Sequence, residues 1–367
     1  MEVLESIKSN GMYLSIKEES LNIINNDIEL FRSNPNPKKQ FKFSINTFLN
    51  RIFLNMCNKE SVKKIAKELS ENKDTESSIG TKRKKSSKGN TGSKKTSKKG
   101  FTIKINNTII NRIESTGIYC KDKEFYAPDV AKYYKFYIEQ YTSLPLTERE
   151  KIFYKDFINR FEEVKQLQKI ISIKKVTGFQ NSNTKNISNE IAIYPYKIET
   201  SNDNACNYIT GFALNGRTYS NIICIPLHRI LLYEKTIFFD EKETIEPDKE
   251  IIFKTNSYIK NYSELTSYIQ NRLDTDGVLY ISGSQQTVRV KLSDKGLEWL
   301  YLRPQYKPHN ISIDKENPNI ISFQASQLQT FMYFFKFGAE AEILEPTNYR
   351  DDFRKRYQAA LSVYQEN

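Results

Sequence analysis

Histidine and cysteine are scarce in this sequence, and their scarcity removes several common chemistries. The two histidines, His228 and His309, are too few for a histidine-built metal centre. The four cysteines, Cys57, Cys120, Cys206 and Cys224, lie far apart with no CxxC pair. That argues against a structural zinc site or a disulfide framework and points to a reducing cytoplasm. No apolar run approaches the roughly 18 residues of a membrane span, so none is expected. The N-terminus lacks the charged, apolar and cleavage-site order of a signal peptide. Also missing are a Ser/His/Asp arrangement, a Gly-rich phosphate loop and a GxGxxG turn. The carboxylates are scattered through surface-like stretches such as "FFDEKETIEPDKE", and the pairs Asp240-Glu241 and Asp351-Asp352 read as solvated charge. The expectation is a cytoplasmic protein that is not an enzyme and needs no cofactor and no metal.

What is present is positive charge, unevenly placed. The net charge is +12 over 367 residues. Residues 81–100 carry nine Lys or Arg and no acid, which leaves about +3 on everything else. This run has the composition of a disordered tether, and it can add salt-sensitive attraction to phosphate whatever the nucleic-acid sequence. The chain as a whole is 38% hydrophobic and rich in Ile, Tyr and Phe, enough for several folded domains.

The chain begins twice. With an offset of 89 residues, "MYLSIKEESLNII" (12–24) overlays "FTIKINNTIINRI" (101–113): Leu14 falls on Ile103, Ile16 on Ile105, Leu21 on Ile110 and Ile24 on Ile113. Each copy opens with the alternation of a half-buried strand and then changes to helical spacing. A second match, offset by 85, sets "SINTFLNRIF" against "DVAKYYKFYI". Ser44 and Asp129 are the expected helix caps. The apolar positions Ile45, Phe48, Leu49, Ile52 and Phe53 correspond to Val130, Tyr133, Tyr134, Tyr137 and Ile138, a core stripe. That spacing makes the tyrosines packing residues rather than a stacking platform. Strand, helix, helix, repeated, is the plan of a ribbon–helix–helix unit, with both halves on one chain. The ribbon would turn Tyr13, Ser15 and Lys17 outward from one strand, and Thr102, Lys104 and Asn106 from the other. A two-stranded ribbon of this kind can enter the major groove of DNA. A plain solvated face is the other reading of the same residues. A tethered ribbon lacks twofold symmetry, so reading a palindrome would require the whole chain to dimerise.

Beyond Pro145, "TERE" (147–150) has the form of a capping box, Thr147 with Glu150, and predicts one long helix to about Ile171. From about 173 the texture is β, with short strands and Asn- or Gly-containing turns that suggest a small barrel. Here "YPYKIETSNDNACNYITGFALNGRTYSNIICIPLHRI" (194–230) resembles the WYL domain, a compact Sm-like β-barrel. Pro195, Tyr208, Arg217 and the "HRI" of His228, Arg229 and Ile230 carry the match. The naming tripeptide reads Asn207-Tyr208-Ile209. Further on, "KFG…AEILEP…YR" (Phe337, Gly338, Pro346, Arg350) is similar to the α/β extension that follows WYL domains and is often used for dimerisation. From the residues alone, Gly338 suits a helix end, "AEIL" a short strand and Pro346 its stop.

The predicted architecture is therefore α+β and multidomain. It has a ribbon–helix–helix half over 1–72, a basic tether over 73–100 and a second half over 101–145. A connecting helix follows over 146–172, then a WYL barrel over 173–240, a linker or helical segment over 241–275 and an α/β extension over 276–367. In this order, and in "YIEQYTSLPLTEREKI", the chain resembles the WYL accessory proteins of type VI-D, RNA-targeting CRISPR systems. That resemblance implies binding of single-stranded RNA, stimulation of an RNA-guided nuclease partner and a homodimer. The implied site is Tyr194, Tyr208, Arg217, His228 and Arg229, with Arg and His as charged donors to phosphate and Tyr as a stacking face. The alternative is a ligand-responsive transcriptional regulator that binds duplex DNA through the ribbon. A dimeric scaffold with no nucleic-acid ligand is the third reading.

Overall fold

A computed structural model describes residues 11–31, 44–58, 60–62, 65, 98–105, 107–109, 111, 127–176, 188–201, 205–213, 222–230, 244–245, 262–281, 285–303 and 307–365. The chain divides between Phe157 and Ile158 into two compact units. No helix among the described residues is long and apolar enough to cross a membrane.

The first unit opens with β1 (Met12–Lys17), α1 (Glu18–Leu30) and α2 (Ile45–Met56), and β2 (Lys98–Ile103) follows. The two strands pair antiparallel as a two-stranded sheet, with Met12 opposite Ile103, Leu14 opposite Phe101 and Lys17 opposite Lys98. The second strand therefore starts three residues ahead of "FTIKIN", inside the stretch assigned to the tether. Residues 107–109 turn into helix, and α3 (Ala127–Ser143) completes the second strand–helix–helix run. Ser44 caps α2 as expected, its Oγ accepting from the backbone N–H of Thr47 at 3.1 Å. Helix α3 starts two residues ahead of Asp129.

Aromatic packing holds this unit. The expected stripe residues Phe48, Leu49, Ile52, Phe53, Val130, Tyr134, Tyr137 and Ile138 are all buried, and Tyr133 is half-buried. Phe53 stacks on Tyr134 with centroids 4.1 Å apart. Asp27, fully buried on α1, accepts two bonds from Arg149 (Nε 2.6 Å, a terminal nitrogen 3.0 Å) and one from the Tyr141 hydroxyl at 2.7 Å. Arg149 belongs to "TERE", but Thr147 is not the cap there. Helix α4 (Leu146–Phe153) begins directly after Pro145, so Thr147 lies in its first turn. Nor is there one long helix. Tyr154 interrupts it, α5 (Lys155–Gln166) follows, and the sheet begins at Ile170. The break has a tertiary cause that periodicity does not register. Arg51 Nε donates to the Phe153 carbonyl at 2.7 Å and Asn55 Nδ2 to that of Ile152 at 2.7 Å, so both acceptors are drawn to α2 where the α ladder would have continued.

The second unit contains two antiparallel sheets. One comprises β3 (Ile170–Val176), β4 (Ser188–Ser201), β5 (Cys206–Ala213), β6 (Ile222–Pro226) and β7 (Thr244–Ile245), ordered β6-β5-β4-β3-β7. The expected barrel is not closed: among the described residues no pairing joins β6 to β7, and β7 offers only two residues, both to β3. Strand β4 carries a bulge at Tyr196, beside Pro195, which has no N–H to give the ladder. Gly211 lies opposite Pro195, where a Cβ would collide with the carbonyl oxygen of Tyr194. Helix α6 (Tyr262–Asp276) covers one face, packing Leu265, Ile269 and Leu273 with Ile170, Tyr194, Phe212 and Ile222.

The C-terminal part follows the sequence reading closely. Strand β8 (Gln286–Leu292) leads to α7 (Asp294–Leu302), capped by Ser293. Then come β9 (Ser312–Ile313), β10 (Ile320–Ala325), α8 (Gln327–Phe334), a 3-10 segment (Phe335–Glu340), β11 (Ala341–Glu345) and α9 (Thr347–Gln365). The sheet order is β11-β8-β10-β9. Gly338 takes φ 57° where the 3-10 segment kinks, a conformation that glycine adopts without strain, and β11 stops immediately before Pro346.

Candidate nucleic-acid interface

The first candidate surface is the outward face of the β1–β2 ribbon. Alternation buries Met12, Leu14, Ile16 and Ile103, so Tyr13, Ser15 and Lys17 face the other way, across from Thr102, Gly100 and Lys98. Tyr13 is 68% exposed, and Lys17, Thr102 and Lys98 are exposed with it. The Tyr13 ring lies over Gly100, and any side chain at residue 100 would occupy its place. Lys104 is exposed just past the end of β2. Its backbone is held from α2, the N–H donating to Asn46 Oδ1 at 2.6 Å and the carbonyl accepting from Asn50 Nδ2 at 2.8 Å. Asn106 lies outside the described residues.

Lys98 and Gly100 are ribbon-face residues that sequence reasoning assigned to the tether. Extending the outward alternation backwards from Thr102 through Gly100 to Lys98, to match the six residues of β1, would have found them. Lys17 and Lys98 stand directly opposite each other. The acid next to them, Glu18, is engaged by Lys99 Nζ at 2.7 Å. Like charges facing across a ladder destabilise it, so this rung is electrostatically suited to an anion.

The second candidate surface is one end of the five-stranded sheet. Tyr208 on β5 pairs with Pro226 at the end of β6, and the chain then makes a single 3-10 turn, Leu227–Arg229. This turn leaves Arg229 exposed and His228 half-buried, with Nδ1 3.4 Å from the Cys206 thiol. Tyr208 is buried, as is Cys206. Tyr194 is not part of this group. Its partner across the ladder is Phe212, four residues along β5 from Tyr208, about 13 Å at the usual strand rise. There it belongs to the core under α6: its ring packs on Tyr262 at 5.1 Å and its hydroxyl donates to the Gln168 carbonyl at 2.9 Å. Burial pushes its pKa up to about 12, so the phenol stays protonated at neutral pH. Arg217 falls outside the described residues. The structure thus brings Tyr208, His228 and Arg229 together and assigns Tyr194 to packing.

No protein-family model matches the chain, and no curated protein matches it. Among solved structures, a protein described as "a CRISPR Cas-related protein" aligns with 97% of this chain and 94% of its own length, at TM-score 0.62 and 16% identity. Proteasome accessory factor B/C of Arthrobacter aurescens aligns with 70% of this chain and 35% of its own, at TM-score 0.27 and 10% identity. Over nearly its whole length, then, the chain shares the fold of a CRISPR Cas-related protein.

Proposed function

We propose that this chain is a non-catalytic accessory protein that binds single-stranded RNA through the five-stranded sheet, as a WYL-type domain, and stimulates an RNA-guided CRISPR nuclease. The observation that carries this reading is the end-to-end likeness to a CRISPR Cas-related protein, which spans both units rather than one common module. The geometry agrees with it in two places. Arg229 is exposed at the sheet end beside His228, as a donor to phosphate must be. In the first unit, strand, helix, helix occurs twice and the two strands form one ribbon, as a ribbon–helix–helix pair on a single chain requires. The site residues of this reading are Tyr208, Arg217, His228 and Arg229, of which Tyr208 is buried and offers no open face for base stacking. Tyr194 supports the sheet from its core.

The test is anisotropy of labelled single-stranded RNA and of duplex DNA of equal length across a salt series. RNA should bind above duplex, and Arg217→Ala with Arg229→Ala should weaken it about tenfold or more, as loss of charge-assisted phosphate contacts does. Unchanged affinity in that double variant would remove the sheet end from the interface. Nuclease turnover with and without the protein tests the stimulation.

One observation favours the second reading, a regulator that binds duplex DNA. The ribbon presents Lys17 and Lys98 at one end and Lys104 beyond the other, with Tyr13 and Thr102 between them. Duplex preferred over RNA, and lost on changing Lys17 and Lys104, would make the ribbon the reader.

A further inference from the structure

A cluster of cations in the C-terminal part of the second unit belongs to neither surface described above. Lys295, Trp299 and Arg303 follow one another at four-residue spacing along and just past α7, on one side of the helix. The Arg303 guanidinium stacks on the Trp299 indole at 4.4 Å and stands 5.9 Å from the Phe337 ring. Lys295 Nζ lies 5.3 Å from the same indole. The Tyr333 hydroxyl donates to the Arg303 carbonyl at 2.9 Å, and Lys336 Nζ sits 5.0 Å over the Tyr333 ring. Three cations thus rest on one connected set of rings: Trp299 meets Phe337 at 5.7 Å, and Phe337 meets Tyr333 at 5.5 Å.

The cluster is short of acid. Glu340 is 3.9 Å from Lys295 and also takes the Ser293 hydroxyl. Among the described residues, no carboxylate forms an ion pair with Arg303 or Lys336. Burial, and then the Arg303 charge, hold the Lys336 ammonium below its ordinary pKa, so the two cations act on one another. The two like charges repel one another, with no counter-ion among the described residues, and that repulsion offsets part of what their ring contacts contribute to folding. The rings fix the position of each cation before any partner arrives, so little side-chain freedom remains to be lost on binding.

We infer that the surface formed by Lys295, Trp299, Arg303 and Lys336 is a second contact for the phosphate backbone of single-stranded RNA. It rests on the RNA-binding reading and extends it from the five-stranded sheet to α7 and the 3-10 segment that follows α8. The contact is with phosphates and is independent of base sequence, because the cations are pre-set on rings whose faces they already cover. Three ordered cations with one acid, Glu340, beside them favour a polyanion. The evenly repeated charge of a nucleic-acid backbone fits three cations held on one connected set of rings, two from α7 and its end and one from the 3-10 segment, better than an acidic protein loop does.

The test uses the full chain and a labelled single-stranded RNA. Lys336→Gln with Arg303→Gln should weaken binding about tenfold and lower the slope of log affinity against log salt by about 1.4, at about 0.7 per lost phosphate contact. Arg303→Lys with wild-type Lys336 should restore most of the affinity, and the melting temperature of each variant separates lost binding from lost folding. Affinity and slope unchanged in the double variant, while Arg229→Gln weakens binding, would overturn the second contact and leave the sheet-end reading standing. A wild-type chain that binds no RNA would overturn both. Poly-glutamate of equal charge bound as tightly as RNA, and lost in the same double variant, would replace RNA with an acidic protein segment and overturn the assignment.

Discussion

The Lys17–Lys98 rung makes a prediction in which stability and binding move in opposite directions. The register sets these two ammonium groups across from one another, and the other outward rungs, Ser15–Gly100 and Tyr13–Thr102, carry no charge. Glu18 is occupied by Lys99 at 2.7 Å. Replacing Lys98 by Thr removes the repulsion and installs a better strand former. Cross-strand terms of this kind amount to about 0.2–1 kcal/mol, which in a unit of this size raises Tm by about 1–4 °C. The same change removes a phosphate contact if the ribbon faces nucleic acid, lowering the salt slope by about 0.9 on duplex or about 0.7 on a single strand. The gain in Tm should be largest at low ionic strength and fade toward 1 M salt, where the screening length falls to about 3 Å. Lys98→Gln separates charge from strand propensity and should retain most of both effects. Thermal melts and anisotropy at four salt concentrations are sufficient. A lower Tm in both variants, or a gain that ignores salt, would refute the electrostatic account of the rung. A Tm gain with unchanged binding to both nucleic acids would show that the ribbon face contacts neither.

Other perturbations test the framework. Arg149→Met leaves the buried Asp27 carboxylate with only the Tyr141 hydroxyl of its described side-chain partners, and should cost about 3–5 kcal/mol in urea unfolding, whereas Tyr141→Phe should cost about 1. Gly211→Ala forces a methyl group against the Tyr194 carbonyl oxygen and should destabilise the second unit by about 1–3 kcal/mol. Burial holds the Cys224 thiol well above its ordinary pKa, so mass spectrometry after iodoacetamide at pH 8 should find it unmodified in the native protein and modified in urea. The homodimer implied by the WYL resemblance has a candidate contact in the last turns of α9, where Leu361, Val363 and Tyr364 are exposed, Tyr364 to 82%. Leu361→Asp with Tyr364→Asp should give a monomer by light scattering if this helix carries the contact, and should leave the mass unchanged if it does not.

Local chemistry made much of this fold legible. Ser44 caps its helix because a serine ahead of an i, i+3, i+4 apolar stripe has a free N–H to accept from, and both facts lie within four residues. The expected stop of β11 at Pro346 is equally local; Ser293 and Ser326, not read as caps from the sequence, follow the same rule in the structure. The misreadings occur where a distant residue decides. The helix predicted through 171 breaks because Arg51 and Asn55, about a hundred residues upstream, take its carbonyls. Tyr194 became core because α6, in a segment the sequence left as a linker or helix, lies over it. The cation cluster escaped notice because Lys336 and Arg303 come from separate elements that only the Trp299–Phe337–Tyr333 rings bring together.

The ribbon shows how the two sources of information combine. The repeat offset of 89 makes Thr102 the counterpart of Tyr13, and the observed register pairs those same two residues. The pseudo-twofold axis of the ribbon therefore passes through that rung. The same offset gives Lys17 the counterpart Asn106, and Lys98 the counterpart Ser9, neither of them charged. The basic rung has no symmetric mate, so the two ends of the ribbon offer different chemistry. A single chain cannot present equal half-sites to a palindrome. If the ribbon contacts duplex DNA, footprinting should show one asymmetric half-site per chain. Protection related by a twofold axis should then be seen only in a dimer, and should vanish in the monomeric α9 variant.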